Sequence, residues 1–217
     1  MIVLTNVLTR EEAGFITGQL NSVTWQTGRT LDTYYQENIK KNLELRASDD
    51  PRVSAVIKLI SDKVYNSPAF QEAAFPKRII TPRFNCSKEG GFYGAHSDAG
   101  VMGDIRTDLA STLWLTDDYD GGELLIDGPE GQKAYKGQIG DLVVYPAHYV
   151  HQTLPVTRGE RICCITWMQS FLRDEHKREY MRRFLHLSQK QKASYGHTAE
   201  YVEMTSLYNN LFRLWAE

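Results

Sequence analysis

The stretch Phe92-Tyr-Gly-Ala-His-Ser-Asp98 carries the pattern around which the rest of this chain can be understood. It follows a Gly90-Gly91 turn and places His96 two residues before Asp98. In an extended strand, residues i and i+2 project from the same face, so an imidazole and a carboxylate at this spacing can converge on one ion. We interpret the pair as half of a metal site. The alternative is a polar turn, since most His-x-Asp pairs are surface residues.

A third metal ligand must come from elsewhere, and His151 has the most suggestive setting among the six histidines. The apolar runs 141–145 before it and 161–167 after it predict two strands, which places His151 at the rim of a sheet. His148 competes for the role. Only His151 lies ten residues before Arg161, and we expect His148 in a loop.

Two histidines and one carboxylate on one face of a metal form the facial triad of non-haem Fe(II) oxygenases. Such an iron needs an electron-donating cosubstrate. Arg161 indicates that the cosubstrate is a dicarboxylate, because a guanidinium on the following strand could hold its far end through two parallel hydrogen bonds.

The order His96-x-Asp98, His151 after 55 residues and then Arg161 resembles the Fe(II)- and 2-oxoglutarate-dependent dioxygenases. Further segments narrow the likeness to the bacterial PKHD-type hydroxylases, relatives of the prolyl and lysyl hydroxylase domains, over most of the chain. These segments are Thr81-Pro-Arg-Phe-Asn85, Arg106-Thr-Asp-Leu-Ala-Ser-Thr112, Tyr119-Asp-Gly-Gly-Glu-Leu124, Gly140-Asp-Leu-Val-Val-Tyr-Pro146 and Pro155-Val-Thr-Arg-Gly159.

The resemblance implies a metal site and a reaction. Fe(II) would be bound by His96, Asp98 and His151, 2-oxoglutarate would chelate the iron, and Arg161 would pair with the 5-carboxylate. Reaction with O2 would convert 2-oxoglutarate into succinate and CO2 and hydroxylate a C–H bond of the substrate. The likeness also raises ascorbate as an accessory reductant.

Other cosubstrate contacts follow from the same resemblance. Similar hydroxylases often have a tyrosine three residues before the first histidine, so the Tyr93 hydroxyl is a candidate contact of 2-oxoglutarate, with an aromatic core residue as the alternative. Asn85 is a second candidate on a predicted strand. A structural role is favoured for Thr112, and Trp167 is expected to fill the core. Arg158 should point to solvent, because it precedes Gly159 in a turn.

Length and composition limit the possible size of the core, the partners and the cellular location. The 217 residues, 41% of them hydrophobic, allow one sizeable core, alone or with an appendage. A net charge of −2 gives no electrostatic footprint for nucleic acid or an anionic membrane. The three cysteines, an odd number without framework spacing, predict reduced thiols and a cytoplasmic protein. The N-terminus lacks the cationic lead of a signal peptide, and no run reaches membrane-spanning length.

The pattern predicts a mainly β protein with flanking helices. A strand over 2–8 precedes a helix over 9–20, which begins with a Thr9–Glu12 capping box and has Phe15, Ile16 and Leu20 on its apolar face. A second helix, 51–66, begins with Asp50 as N-cap. Eight short strands follow, at about 79–86, 92–98, 108–116, 122–127, 132–136, 141–145, 149–154 and 160–171. The pattern and the resemblance agree on a double-stranded β-helix, or jelly roll, covering residues 1–172 and buttressed by both helices.

Residues 173–217 predict a C-terminal helical extension packed on this core. Asp174 would cap a helix with Tyr180, Phe184 and Leu187 in a stripe, and Gly196 would end it. A final helix from Thr198 has an apolar face that needs cover, by the barrel or, as the alternative, by a homodimer partner. That face comprises Met204, Leu207, Tyr208, Leu211, Leu214 and Trp215. The basic residues here alternate with acidic ones, which favours a solvated helix face over a nucleic-acid site.

Two functions from different classes fit these observations. The first is an Fe(II)/2-oxoglutarate hydroxylase, and the second is a non-catalytic jelly-roll protein whose metal is structural or sensory. Arg161 separates them, because a structural site needs no cosubstrate anchor. A zinc hydrolase is disfavoured, since it would require a general base beside the metal. Substrate selection is expected in loops 26–42, 99–107 and 128–132, for a peptidyl residue or a small molecule such as a siderophore, with a nucleobase as a third alternative.

Overall fold

The computed structural model describes residues 1–28 and 39–217, and β-strands dominate them. In chain order the strands are β1 (Ile2–Leu4), β2 (Gln26–Thr27), β3 (Lys40–Lys41), β4 (Leu43–Arg46), β5 (Pro76–Ile79), β6 (Arg83–Ser87), β7 (Phe92–His96), β8 (Val101–Met102), β9 (Ile105–Arg106), β10 (Leu109–Trp114), β11 (Tyr119–Gly121), β12 (Leu124–Gly128), β13 (Gly131–Tyr135), β14 (Leu142–Pro146), β15 (Val150–Thr153), β16 (Val156–Gly159) and β17 (Arg161–Ser170). The helices are α1 (Arg10–Asn21), α2 (Pro51–Ile60), α3 (Pro68–Ala74), α4 (Glu175–Tyr195) and α5 (Ala199–Trp215).

Two antiparallel sheets form the framework. The larger has the strand order β1-β14-β10-β17-β6-β4-β2, with β5 also paired to β17, and the smaller has the order β13-β12-β15-β7-β3. Two short ribbons, β11 with β16 and β8 with β9, complete the pairing in the described residues. Each of the eight predicted strands has a counterpart, so the predicted mainly β, double-sheet architecture is confirmed.

A hydrophobic cluster joins the inner faces of the two sheets. The larger sheet contributes Trp114, Tyr145 and Trp167, and the smaller contributes Leu124 and Ile126. Trp167 is 8% exposed, as its predicted core role requires. Because side chains alternate along each strand, these residues define the face that also carries the polar site described below.

The outer face of the larger sheet is covered by α1 and α2, as predicted. Ile16 and Leu20 of α1 and the buried side of α2 pack there in one continuous core. Phe15, predicted on the buried face, is instead 58% exposed. The buried positions of α1 are Ala13, Ile16 and Leu20, at spacings of three and four residues, and Phe15 is turned away from that stripe by the helical period.

Local capping sets where the helices begin. The Thr9 side chain accepts a hydrogen bond from the Glu12 amide, and the Glu12 carboxylate accepts one from the Thr9 amide, which confirms the capping box. Asp50 caps α2 by accepting from the Arg52 amide. Helix α2 continues as a π-helical turn, Ser61–Tyr65, so the predicted helix over 51–66 is confirmed with a change of winding at its end.

Two features differ from the expected pattern. Helix α3 was not predicted, although Ser67 as N-cap followed by Pro68 is a regular helix start. Strand β1 ends at Leu4 instead of residue 8, because Asn6 has a φ of 53° and leaves the extended region.

The C-terminal helices pack on the core through a third cluster, formed by Phe75, Leu172 and Met181. Asp174 caps α4, and the helix ends at Gly196 with a φ of 79°, as predicted. The predicted stripe was wrong in part, since Tyr180 is 56% exposed and Met181 is buried in its place. Leu187, Leu207 and Leu214 are also exposed. The part of α5 that packs on this cluster comprises Tyr208, Leu211, Phe212 and Trp215.

None of the helices in residues 1–28 and 39–217 combines the length and the apolar character that a membrane-spanning segment needs.

Candidate active site

Strands β7 and β15 of the smaller sheet bring the two predicted histidines together. His96 is the last residue of β7, and its Cα is the register partner of His151 in β15. The rings lie 4.3 Å apart between centroids. Asp98 lies two residues beyond the end of β7, and its amide donates to the Ala147 carbonyl at 3.2 Å. The expectation that β7 extends to Asp98 was therefore wrong, and a short loop turns the carboxylate toward both rings.

The backbone fixes the tautomer of each imidazole. Nδ1 of His96 donates to the Gly94 carbonyl at 2.8 Å, and Nδ1 of His151 donates to the Tyr149 carbonyl at 2.9 Å. A carbonyl oxygen can only accept, so the proton is on Nδ1 in both rings. In a neutral ring Nε2 then presents a lone pair, which is the arrangement of a metal-binding histidine.

The three side chains form a group that could hold a metal ion. One ligand atom from each of His96, Asp98 and His151 lies within 4.8 Å of the others, and Oδ2 of Asp98 is 3.8 Å from Nε2 of His151. The Asp98 side chain is 5% exposed, yet its Oδ2 accepts no hydrogen bond from the described residues. A buried carboxylate oxygen without a partner is costly, and a bound cation would remove that cost.

The electrostatics of the group also suit a cation. Burial raises the pKa of Asp98, although the nearby His151 opposes the shift. Burial and then the proximity of His151 lower the pKa of His96 to about 4, so its ring is neutral at pH 7. Neutral imidazoles are the form that binds metals. The residues present therefore fit a divalent ion, which they would hold through two imidazoles and one carboxylate.

An aromatic and cationic stack covers His96. The Tyr93 ring lies on the His96 ring with centroids 3.7 Å apart, and Nζ of Lys40 lies 4.5 Å from the centroid of Tyr93. Burial raises the pKa of the Tyr93 hydroxyl, with Asp98 as the next cause. Tyr93 therefore borders the candidate metal ligands, and contact of its hydroxyl with a cosubstrate stays a prediction.

Arg161 opens β17 and lies on the inner face of the larger sheet. It is 3% exposed, and its Nε donates no hydrogen bond within the described residues. Two further polar atoms near it also lack partners there, the Tyr119 hydroxyl and Nε1 of Trp114. The guanidinium carbon of Arg161 lies 5.9 Å from the Trp114 ring centroid. Burial raises the pKa of the Tyr119 hydroxyl, and the charge of the nearby Arg161 opposes this shift.

Tyr119 and Trp114 are candidate binding residues that the sequence analysis missed. Gly122 permits the close approach of Tyr119 to Arg161, because a Cβ at Gly122 would lie 3.1 Å from both Cδ of Arg161 and Cε2 of Tyr119. The signal was present in the sequence, since Tyr119 opens the quoted Tyr-Asp-Gly-Gly segment and Trp114 lies two residues after Thr112 on the same strand face.

The pairing of β17 with β6 and β10 shows where the remaining candidate binding residues lie. Asn85 is the Cα partner of Cys163, and Ser87 is the partner of Arg161, so Asn85 and Arg161 share the inner face. Asn85 is 8% exposed. Thr112 is buried on the inner face of β10, opposite Ile165.

Two residues lie away from this site, as expected. His148 is exposed in a turn. Arg158 points to solvent as predicted, but it lies on strand β16 and not in a turn, and its guanidinium donates to Asp118 at 3.0 Å and to Asp120 at 2.7 Å.

Known proteins resemble the whole chain and its fold. A family model of the 2OG-Fe(II) oxygenase superfamily matches residues 82–169. A PKHD-type hydroxylase of Stutzerimonas stutzeri (strain A1501) is 34% identical, over 100% of this chain and 99% of the relative. A Trichoplax adhaerens prolyl hydroxylase, solved with a hypoxia-inducible-factor peptide, has a TM-score of 0.65 at 16% identity and covers 82% of this chain and 86% of that one.

A second solved structure is HygX of Streptomyces hygroscopicus with nickel, 2-oxoglutarate and hygromycin B bound. Its TM-score is 0.54 at 12% identity, covering 79% of this chain and 83% of that one. At such identities the two structures confirm the jelly-roll fold, while the relative and the family model establish an enzyme that uses Fe(II) and 2-oxoglutarate. The chain belongs to the PKHD-type hydroxylases of the 2OG-Fe(II) oxygenase superfamily.

Proposed function

We propose that His96, Asp98 and His151 bind the catalytic Fe(II) of this hydroxylase. The observation that carries the proposal is their convergence within 4.8 Å, with both Nδ1 atoms held by backbone carbonyls and Oδ2 of Asp98 unpaired among the described residues. Fe(II) and 2-oxoglutarate together supply the oxidising power, with release of succinate and CO2 and hydroxylation of a substrate C–H bond. The protein's task is to bind, orient and exclude water.

Arg161 is proposed to bind the 5-carboxylate of 2-oxoglutarate, assisted by the Tyr119 hydroxyl and Nε1 of Trp114. All three residues are nearly fully buried, and Nε of Arg161, the Tyr119 hydroxyl and Nε1 of Trp114 have no hydrogen-bond partner among the described residues, which supports a carboxylate at their centre. Asn85 and Tyr93 are proposed as further contacts, Asn85 along the same inner face and Tyr93 beside the metal. The apolar inner cluster around Tyr145 and Ile126 would keep water from this end of the site.

The substrate is proposed to be a peptidyl residue or a small molecule such as a siderophore. The Trichoplax prolyl hydroxylase has a peptide bound and HygX has hygromycin B bound, so this fold accommodates both kinds. Of the three loops expected to select it, 99–107 contains the β8–β9 ribbon and 128–132 is the tip of the β12–β13 hairpin. Residues 29–38 of the loop 26–42 lie outside the described residues.

The remaining assignments concern the chain as a whole. We propose residues 1–172 as the dioxygenase domain and 173–217 as a helical extension. The exposed leucines of α5 leave a homodimer contact as a proposal. Cys86, Cys163 and Cys164 are buried and unpaired, which supports a cytoplasmic protein, and ascorbate remains a proposed accessory reductant.

Succinate formation tests the assignment of the metal ligands. Purified protein reconstituted with Fe(II) would be incubated with 2-oxoglutarate in air, and succinate and bound iron would be measured for His151→Ala and for the matched control His148→Ala. We expect His151→Ala to lose iron and succinate formation and His148→Ala to keep both. Equal losses in the two variants, or iron retained without any succinate in the unmodified protein, would support the structural or sensory metal site instead.

A further inference from the structure

A second charged group lies beside the metal-binding residues. Lys40 and Arg46 both pair with the carboxylate of Glu44, Arg46 at 3.3 Å, and an Arg83 nitrogen lies 3.8 Å from the same carboxylate. The Glu44 and Lys40 side chains are 3% and 5% exposed. Three cations therefore surround one buried anion, and the group holds a surplus of positive charge.

Of these three cations, Arg83 has the weakest interaction with the Glu44 carboxylate. Its distance from Glu44 exceeds hydrogen-bond length, and within the described residues its guanidinium donates no hydrogen bond. The side chain is only 25% exposed and its guanidinium lies 4.7 Å from the ring centroid of Trp167. Burial lowers the pKa of Arg83, yet an arginine remains charged in proteins. A partly buried guanidinium with free donors is a binding group for an oxyanion.

Arg83 and Arg161 lie at opposite ends of one row of side chains. In the β6–β17 ladder Arg83 is opposite Ile165, whereas Arg161 is opposite Ser87. All four face inward, and four residues of strand separate the two arginines by about 13 Å. Two anions held at these ends would thus occupy separate positions.

Arg83 neighbours the metal-binding group, because Asp98 and Tyr93 both lie within range of its charge. Trp167, on which Arg83 stacks, also neighbours the Asp98 carboxylate. If 2-oxoglutarate extends from Arg161 to the metal, its carboxylates do not need Arg83.

We infer that Arg83 binds a carboxylate of the molecule to be hydroxylated, so that the substrate is anionic and is held by its carboxylate beside the metal. This inference rests on the proposed function. The planar guanidinium, stacked on Trp167 and flanked by Lys40 and Arg46, matches a planar carboxylate through two parallel hydrogen bonds. Arg83 is then a specificity-determining residue.

The inference can be tested before the substrate is known, by comparing the binding of two small probes that differ only in carrying a carboxylate or an amide. The probes are 4-(trifluoromethyl)benzoate and 4-(trifluoromethyl)benzamide, followed by fluorine NMR line broadening with anaerobic protein saturated with 2-oxoglutarate and loaded with Fe(II) or Zn(II). We expect saturable broadening of the acid alone, with additional relaxation from paramagnetic Fe(II) because Arg83 lies near the metal. Acetate should compete better than inorganic phosphate; the reverse order would assign the site to a phosphate group.

The variants are Arg83→Gln, Arg83→Lys and the exposed control Arg158→Gln. Arg83→Gln should weaken binding of the acid at least about tenfold, Arg83→Lys should be intermediate and Arg158→Gln unchanged. Each variant must still show the visible band of 2-oxoglutarate on Fe(II), which verifies folding and the cosubstrate site.

Equal binding of acid and amide, or binding that survives in Arg83→Gln through direct coordination to iron, would overturn the inference while leaving the proposed function intact. Absence of the visible band from the unmodified protein would instead remove the proposed function, and the inference with it.

Discussion

His96 and His151 are 55 residues apart in the sequence and directly opposite one another in the β7–β15 pair, with ring centroids 4.3 Å apart. Each ring is also held by its own backbone, through Nδ1 and the carbonyl two residues earlier. The pairing of two strands therefore positions two of the proposed metal ligands at once, and only Asp98 depends on a loop.

Substitution of Arg161 should weaken binding of 2-oxoglutarate and leave iron bound. Arg161→Ala removes a bidentate, charge-assisted contact, so we expect the dissociation constant to rise roughly a hundredfold. Tyr119→Phe and Trp114→Phe each remove one donor and should cost roughly five- to tenfold. Calorimetric titration of anaerobic protein measures these values. Arg158→Ala is the control, and an effect as large as that of Arg161→Ala would show that Arg161 is not the anchor.

Acid should destabilise the metal-free protein through His96. Because the folded pKa is about 4 and the unfolded value is near 6.5, the stability that depends on neutral His96 is complete above pH 6.5 and is lost as the pH falls toward 4. Between pH 7 and 5 the free energy of unfolding should fall by about 2 kcal/mol more in the unmodified protein than in His96→Gln. Urea unfolding at the two pH values measures the difference, and parallel losses would contradict the predicted cause.

Two glycine substitutions should have opposite effects on the free energy of unfolding. Gly140 has a φ of +85°, and a Cβ there would lie 2.0 Å from the Leu8 carbonyl oxygen, so Gly140→Ala should cost about 3 kcal/mol or more. Gly18 is exposed inside α1 with nothing within 4 Å of its Cβ position, so Gly18→Ala should gain about 0.5–1 kcal/mol. Denaturant midpoints compare both variants, and a neutral Gly140→Ala would exclude a tight contact with Leu8.

A pair of substitutions in α5 distinguishes docking on the core from a dimer contact. Phe212 packs on Phe75 and Phe171, with ring centroids 6.1 and 5.7 Å apart, so Phe212→Ala should cost about 2 kcal/mol. Leu214 is 75% exposed, and Leu214→Ala should change stability by less than about 0.5 kcal/mol. Thermal unfolding and sedimentation are the measurements. A protein dimer that Leu214→Ala dissociates would assign the exposed leucines to a homodimer.

The sequence was sufficient for the fold and for the convergence of His96, Asp98 and His151, because the His-x-Asp spacing and the spacing from His151 to Arg161 are local features. That a loop and not strand alternation positions Asp98 could not be predicted. Phe15 was misplaced although the helical period of Ala13, Ile16 and Leu20 turns it away from the buried face. Tyr180 was misplaced because the adjacent Met181 competes for the same face, and packing decides between them. Tyr119 and Trp114 were missed for a different reason. Their role depends on the register between β10, β11 and β17, and a polar aromatic residue looks the same in sequence whether or not its hydrogen bond is satisfied.

The charge-transfer band of iron-bound 2-oxoglutarate tests the central claim most directly. Anaerobic, Fe(II)-loaded protein would be titrated with 2-oxoglutarate beside His151→Ala and His148→Ala, and the weak visible absorption of the chelate recorded. We expect a saturable band in the unmodified protein and in His148→Ala, and no band in His151→Ala. A band of undiminished intensity in His151→Ala, or tightly bound iron with no band in any of the three proteins, would contradict the assignment of the site.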